Sequence, residues 1–418
     1  MDEQFHWFVG LDWASALHRV CVLDSKGERV GERDVAHDGA ALADMCAWLC
    51  EVTGAAPAEI AVAIETPRGP VVEALLEHGF AVFAINPKQL DRFRDRFSPA
   101  GAKDDSRDAL VLGHSLHTDR HAFRRVAVDD PLVIELREWS RMYDELKQEQ
   151  NRLANRMRDQ LWRYYPQIGA LGADLASDFI LDLWHAVPTP EKAARVTDKT
   201  IERILKSHRI RRFDAATVRG ILRQPPLKVA PGTIAAATAH IRILAARLRL
   251  VNIQIKETER RLDELCAAIE EAAETTPGQI CEQRDVAILR SYPGLGRITI
   301  AALLAEACEP LRRRDYHVLR TLSGVAPVTK RSGKSCVVIQ RHACNTRLQT
   351  AAYHWARVAI QHDPTSKERY AALRARGHNH ARALRSVADR LLYVLCTLLE
   401  RQVLFDPSYT EAPTTAAA

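Results

Sequence analysis

Two short apolar runs constrain this chain more than any other feature. Phe8-Val9-Gly10-Leu11 and Ile60-Ala61-Val62-Ala63-Ile64 read as buried strands, and each is followed at once by an acid, Asp12 and Glu65. A buried strand must pair its backbone N–H and C=O groups with neighbours, so the chain has to build a sheet around these two. Arg19-Val20-Cys21-Val22-Leu23-Asp24 reads as a second strand, closed by Ser25-Lys26-Gly27, and Glu28 to Ala36 as a third. Gly39 to Val52 has helical spacing through Leu42, Met45, Cys46 and Leu49. Pro70 opens a helix through Val71, Leu75 and Leu76 that stops near Gly79. Ala81-Val82-Phe83-Ala84-Ile85 is a further strand, ended by Asn86-Pro87, and helices follow through Phe93 and Leu110. Three strands, helix, strand, helix, strand, helix specify a mixed sheet with helices packed on it.

A second acidic group follows the sheet signals, in Lys103-Asp104-Asp105-Ser106-Arg107-Asp108-Ala109. The apolar residues Leu110, Val111, Leu112 and Leu116 suit a helix, on which Asp105 and Asp108 share a face. Asp104 points about a third of a turn away and is set aside as a ligand. Two carboxylates side by side repel unless a cation lies between them. Acids at a helix start also favour the helix dipole, which is the bland explanation. The order of elements resembles the ribonuclease-H-like fold of nucleases and integrases, in which acids of the first strand, the fourth strand and a late helix converge. Here those positions hold Asp12, Glu65, Asp105 and Asp108. Phosphodiester cleavage puts charge on the attacking and the leaving oxygen, and two Mg²⁺ ions roughly 4 Å apart stabilise both. Mg²⁺ takes hard oxygen ligands of this kind.

The chain has 418 residues, enough for two or three domains, and is 47% hydrophobic, enough for a sizeable core. No apolar run approaches a membrane span. The start, MDEQFHWFVG, lacks the basic and apolar regions of a signal peptide. Nine cysteines form no CxxC pair and their odd number argues against a disulfide framework, so a reduced, cytosolic protein is expected. The net charge is only +6, but the arginines cluster, which suits a polyanionic partner.

After the sheet region come two heptad seams. The first runs Leu132, Trp139, Leu146, Leu153 with Leu136, Tyr143, Met157, Tyr164, broken by the polar Gln150. The second runs Ile241, Leu248, Ile255, Leu262, Ile269 with Leu244, Val251 and Leu265. The seams can pair within a chain or between chains, and the more regular second one is expected to be an oligomer contact. Arg152, Arg156, Arg158 and Arg163 follow the first seam, either as solvated surface or as nucleic-acid contacts. Between the seams, Lys206 to Arg212 is basic but has no aromatic before Phe213, so base stacking there has little support.

The last third opens with Pro293-Gly294-Leu295-Gly296-Arg297 ahead of an apolar helix through Ile300, Leu303 and Leu304. This resembles a helix-hairpin-helix turn, which offers backbone N–H groups to a DNA phosphate; a simple tight turn is the alternative. Gly324-Val325-Ala326-Pro327 then leads to Lys330-Arg331-Ser332-Gly333-Lys334-Ser335. Serines in basic loops are usually only solvated, and a hydroxyl is a poor nucleophile until its proton is removed. Lys103, Gly294, Gly296, Arg297, Lys330, Arg331 and Lys334 are the candidate nucleic-acid contacts, each set to meet a phosphate.

These motifs, in this order, resemble the DEDD transposases of the insertion-sequence-110 family, recombinases of bacterial mobile elements. The resemblance rests on Gly10-Leu11-Asp12, Ile64-Glu65, Lys103 to Ala109, Pro293-Gly294-Leu295-Gly296, Gly324-Val325-Ala326-Pro327 and Ser332-Gly333-Lys334, and spans residue 7 to about 400. Asp104 stands where the family usually has Thr. The resemblance implies a RuvC-like (RNase-H-like) catalytic domain at 1–125, a helical coiled-coil region at 130–276 with an insertion at 166–232, a helical transposase domain at 284–405, and a disordered tail at 406–418. It implies Mg²⁺ held by Asp12, Glu65, Asp105 and Asp108, and Ser332 as the nucleophile of a phosphoserine link to DNA in a site shared with the acids. It implies donor and target DNA, an element-encoded structured guide RNA, and dimers or tetramers as partners, in a bacterial cytoplasm. Two other readings of the residues remain: a junction nuclease acting by metal-activated water, and a binding protein without chemistry. The presence of all four acids disfavours the second of these.

Overall fold

The computed structural model describes residues 5–97, 105–126, 130–272, 281–333 and 335–407. Lys103, Asp104, Lys334 and the tail from 408 to 418 lie outside the described residues, and of Asp105 only the backbone is described. The chain divides into two compact units, Met1–Asp129 and Asp130–Ala418.

The first unit contains β1 (Trp7–Asp12), β2 (Leu17–Leu23), β3 (Arg29–Ala36), α1 (Gly39–Thr53), β4 (Ile60–Ile64), α2 (Pro70–Glu77), β5 (Ala81–Ala84), α3 (Pro87–Phe97), α4 (Asp105–Thr118) and β6 (Arg124–Arg125). The strands form one mixed sheet in the order β3-β2-β1-β4-β5-β6. β1 is antiparallel to β2 and parallel to β4, as the meander followed by helical crossovers requires. The short sixth strand, antiparallel to β5, was not foreseen from the sequence; two arginines carry no apolar pattern.

Alternation along the strands gives each sheet face its own core. Val9, Leu11, Val20, Val22, Val62 and Ile64 meet Met45 and Leu49 of α1 and Leu75 of α2. Phe8, Cys21, Ala61, Ala63 and Phe83 meet Leu90 of α3 and Ala109, Leu112 and Leu116 of α4. The second face is lined by small residues, and this lets α4 lie close. A Cβ built on Gly10 falls 1.8 Å from the Ala109 carbonyl oxygen and 2.5 Å from the Gly113 nitrogen. Strand and helix backbones touch there, which only glycine permits.

Among its described residues the second unit is helical apart from one hairpin. It opens with α5 (Pro131–Tyr164), continues with five short helices, α6 (Gln167–Ala170), α7 (Asp178–Ala186), α8 (Pro190–Arg195), α9 (Asp198–Ser207) and α10 (Ala215–Leu222), and returns through α11 (Pro231–Ala272). It ends with α12 (Cys281–Ser291), α13 (Arg297–Arg312), α14 (Tyr316–Leu322), the hairpin β7 (Val328–Ser332) and β8 (Ser335–Ile339), α15 (Thr346–His362), α16 (Pro364–Ala375) and α17 (His380–Arg401).

The two heptad seams face each other within the chain, antiparallel. Leu136 packs with Leu262, Leu265 and Ile269 at one end. Leu153, Met157 and Leu161 pack with Ile241, Leu248 and Val251 at the other. Glu135 pairs with Arg261 at 2.7 Å and Glu149 with Arg247 at 3.0 Å across them. This corrects the expected oligomer contact: Ile241, Leu248 and Leu262 are at most 1% exposed in the single chain, so no seam is left for a second copy. Gln150, the polar break, donates to Asn252 Oδ1 at 2.7 Å. Asn252 in turn donates to the Ala176 carbonyl and to Asp178. A half-buried amide pair of this kind at a core-facing heptad position helps fix the register of two helices.

Candidate active site

The first unit gathers the acids at one end of its sheet. Leu11 of β1 is level with Ile64 of the parallel β4, so Asp12 and Glu65 leave neighbouring strands at the same edge. Asp12 continues the alternation of Phe8 and Gly10 on the face that α4 covers, and Glu65 follows Ile64 directly at the end of β4. α4 runs antiparallel to β1. Its middle crosses Gly10. Its last turn reaches the start of β1, where the His117 ring meets Phe8 at 4.8 Å and His117 Nε2 contacts the Ser25 carbonyl. Its first turn, with Asp105 and Asp108, therefore lies at the end of the sheet where Asp12 and Glu65 emerge. The glycine in Gly10-Leu11-Asp12 is what allows that approach.

Further polar residues hold this edge. Arg19, level with Asp12 on β2, pairs with Glu32 and Asp34 of β3 at 2.8 Å each. Ser106 in the first turn of α4 donates to Glu32 Oε1. Burial pushes the Glu32 carboxyl up, but the bonds from Ser106 and Arg19 and the charges of Arg19 and Arg29 hold it below its ordinary value. Below the sheet edge, the fully buried His18 accepts from the Ala14 N–H through Nδ1 at 3.2 Å. Its Nε2 is then the protonated nitrogen and donates to His37 Nδ1 at 2.9 Å. That pair fixes the turn leaving Asp12.

Asp108 differs from the other acids. It is 1% exposed, and Arg94 of α3 holds both its oxygens, Nε to Oδ1 at 2.8 Å and Nη2 to Oδ2 at 3.0 Å. Sequence reasoning asked for a cation among the acids and did not find this one. Arg92, Arg94 and Arg96 alternate in α3, and only the packing selects the middle one. The carboxylate oxygens of Asp12 and Glu65 suit a hard divalent cation; both oxygens of Asp108, as they stand, are engaged by Arg94. Among the described residues no three His, Cys, Asp or Glu side chains are grouped as metal ligands.

Ser332 belongs to the second unit, at the tip of the β7–β8 hairpin. It is level with Ser335 across a two-residue turn, with Gly333 at φ +55°. The hairpin is exposed on both faces, with Val337 and Val338 51% and 53% exposed. A lone two-stranded hairpin with bare valines is marginal in water. Lys330 and Arg331 lie on the same strand, both exposed, and no carboxylate pairs with either among the described residues. Ser323, in contrast, is 1% exposed and donates to the Leu319 carbonyl at 2.9 Å.

Comparison with known proteins agrees with this layout. Residues 9–166 match the transposase family named for DEDD acids and IS110, and residues 286–371 match the transposase family of IS116, IS110 and IS902. A protein of Streptomyces coelicolor assigned as the mini-circle transposase for IS117 is 33% identical over 427 residues, covering 100% of this chain and 99% of its own length. The chain belongs to the IS110 family of transposases. A protein of Sinorhizobium fredii assigned as transposase y4uE is 58% identical over 216 residues, 51% of this chain and 60% of that protein. This chain therefore spans about 60% of the y4uE relative. The 42 kDa protein of insertion element IS900 from Mycobacterium paratuberculosis is 25% identical over 423 residues, 98% of this chain.

In this transposase the Pro293 to Arg297 turn has mixed roles. A Cβ on Gly294, at φ +80°, falls 3.0 Å from the Ala359 nitrogen, so that glycine serves the packing of the turn on α15. Trp355 Nε1 donates to the Pro293 carbonyl at 3.0 Å. Arg297, expected at a phosphate, is taken by Glu259 at 2.7 Å and Asp263 at 3.0 Å on α11. Gly296 is exposed and caps α13 without a side-chain bond, so the helix N–H groups there are open to an anion. One network missed by sequence reasoning holds the base of the hairpin region: Glu306 of α13 meets Arg141 at 3.3 Å and Arg347 at 3.6 Å, and accepts from Asn345 at 2.9 Å. Its members lie on α5, α13 and the start of α15, too far apart in sequence to be linked by spacing.

Proposed function

We propose that this transposase cuts and rejoins DNA by serine transesterification, with Ser332 as nucleophile and Mg²⁺ held by Asp12, Glu65, Asp105 and Asp108. The observation that carries the reading is the convergence of three acid-bearing tips, the ends of β1 and β4 and the start of α4, at one edge of the sheet. When bound there, Mg²⁺ neutralises charge on the attacking and the leaving oxygen. The chain's own residues do the rest. Gly10 brings α4 against β1, so that the helix start lies at the sheet edge where β1 and β4 end. Lys330 and Arg331 draw a DNA phosphate to the hairpin. Ser332 Oγ attacks phosphorus, forming one P–O bond as the bond to a deoxyribose oxygen breaks. The serine proton leaves, and the released sugar hydroxyl takes one up. Attack by a second DNA hydroxyl on the phosphoserine restores the serine and joins the new strands. One phosphodiester is thus exchanged for another with no high-energy cofactor.

Donor and target DNA are the substrates, and a structured guide RNA is the partner proposed to direct them. An arginine-rich surface on α5 supports a nucleic-acid partner. Arg152, Arg156, Arg158 and Arg163 are all exposed, and among them Trp162 is 75% exposed, an aromatic available to stack on an unpaired base. A homo-oligomer needs a surface outside the internal seam. Ile243, Leu250 and Ile253 on the outer side of α11, 53–63% exposed, repeat at heptad spacing and suit a second copy.

The test is covalent capture. Incubated with its DNA, its RNA and Mg²⁺, the protein should give a denaturant-resistant DNA adduct that peptide mapping places on Ser332. Ser332→Ala should abolish adduct and strand exchange while DNA binding keeps its salt dependence. Mapping to Ser335 would move the nucleophile across the turn. Cut DNA without any adduct would refute the serine and favour metal-activated water.

A further inference from the structure

Asp108 has its charge matched by a guanidinium in the structure. Its carboxylate is 1% exposed, and the two bonds from Arg94 leave no oxygen unengaged. Removing one partner from a buried ion pair is strongly destabilising, because the other charge is left uncompensated. Arg94 also bonds Asp91 Oδ1 at 2.6 Å, and the Asp91 side chain is 65% exposed. The guanidinium thus spans a buried acid and a solvated one on its own helix. It has a resting partner if it lets go of Asp108.

Resting on the metal reading given above, we propose that Arg94 is a positioning residue that competes with the divalent cation for Asp108. In the metal-free protein it neutralises Asp108 and holds α3 to α4, keeping the acid in place. Loading requires the guanidinium to shift onto Asp91, so that one cation replaces another on the same carboxylate. Arg94 therefore weakens metal binding while it protects the fold without metal. A merely structural salt bridge would do the second and not the first.

The experiment measures Mg²⁺ binding by calorimetry, and thermal unfolding with and without Mg²⁺, on the full chain. Arg94→Gln should tighten Mg²⁺ binding by roughly ten-fold or more and make folding stability depend on Mg²⁺ far more than in the wild type. In an Asp108→Asn background the same substitution should change affinity by less than about two-fold, because the contested carboxylate is gone. Arg94→Lys, which keeps the charge but not the two-pronged bond, should fall between. Should Arg94→Gln fail to fold even with Mg²⁺, the lysine variant decides, with about three-fold tighter binding expected. Unchanged or weaker binding in the Arg94 variants, or equal tightening in the Asp108→Asn background, overturns the proposal. Binding that is lost in Asp12→Asn yet indifferent to Arg94 refutes the competition alone. Absence of Mg²⁺ binding from wild type and both Arg94 variants refutes the metal reading with it.

Discussion

Replacing Gly10 by Ala tests the placement of the acids without touching one of them. The added methyl would lie 1.8 Å from the Ala109 carbonyl oxygen, and ordinary contact begins near 3.4 Å, so the backbones must part by about 1.6 Å. The obstacle is backbone on both sides, Ala109 and Gly113 of α4, and no side chain can rotate out of the way. Overpacking of this kind costs about 1–3 kcal/mol, and the upper end is expected where backbone must move. The same shift carries Asp105 and Asp108 away from Asp12 and Glu65. A misplacement of about 1 Å in a catalytic group costs on the order of a hundred-fold in rate. Gly10→Ala should therefore lower the urea midpoint of the first unit and reduce DNA cleavage about a hundred-fold or more. Gly39→Ala is the control: it lies at the start of α1 with nothing within 4 Å of the added carbon, and should leave both quantities near wild type. If Gly10→Ala matched the control in stability and cleavage, α4 would not lie on β1 as described, and the convergence of the acids would lose its basis.

Two further outcomes follow from packing and charge. Leu248→Asp with Ile255→Asp should unfold the helical unit, since these side chains are 0% and 6% exposed against α5 and buried unpaired carboxylates cost several kcal/mol each. Circular dichroism and light scattering would show it, and a stable, folded protein of reduced mass would instead return the seam to an intermolecular role. The His18 imidazole is held below its ordinary value of 6.5, first by burial and then by the neighbouring His37. The unfolded chain then takes up a proton that the native ring refuses, so this contribution is complete above about pH 6.5 and declines as pH falls below it. Denaturant unfolding of wild type and His18→Gln should differ in slope on that acid side, and equal slopes would exclude His18 as the source.

The sequence by itself determined the parts list. Short apolar runs ending in Asp12 and Glu65 read as buried strands from their length and β-branched content, which are local properties. The heptads of α5 and α11 were equally legible. Their pairing was not: a seam states that a partner is needed, and both pairings satisfy the same pattern. Only the fold, which returns α11 along α5 and matches Gln150 to Asn252, chose the chain itself. The same division holds at the acids. Sequence supplied four carboxylates and the need for a cation. It could not show that Arg94 meets Asp108 from another helix, that Ser106 meets Glu32 from the third strand, or that Arg297 is spent on Glu259 and Asp263. Each of these contacts joins residues distant in the chain, and their energy depends on burial and geometry that only tertiary packing creates.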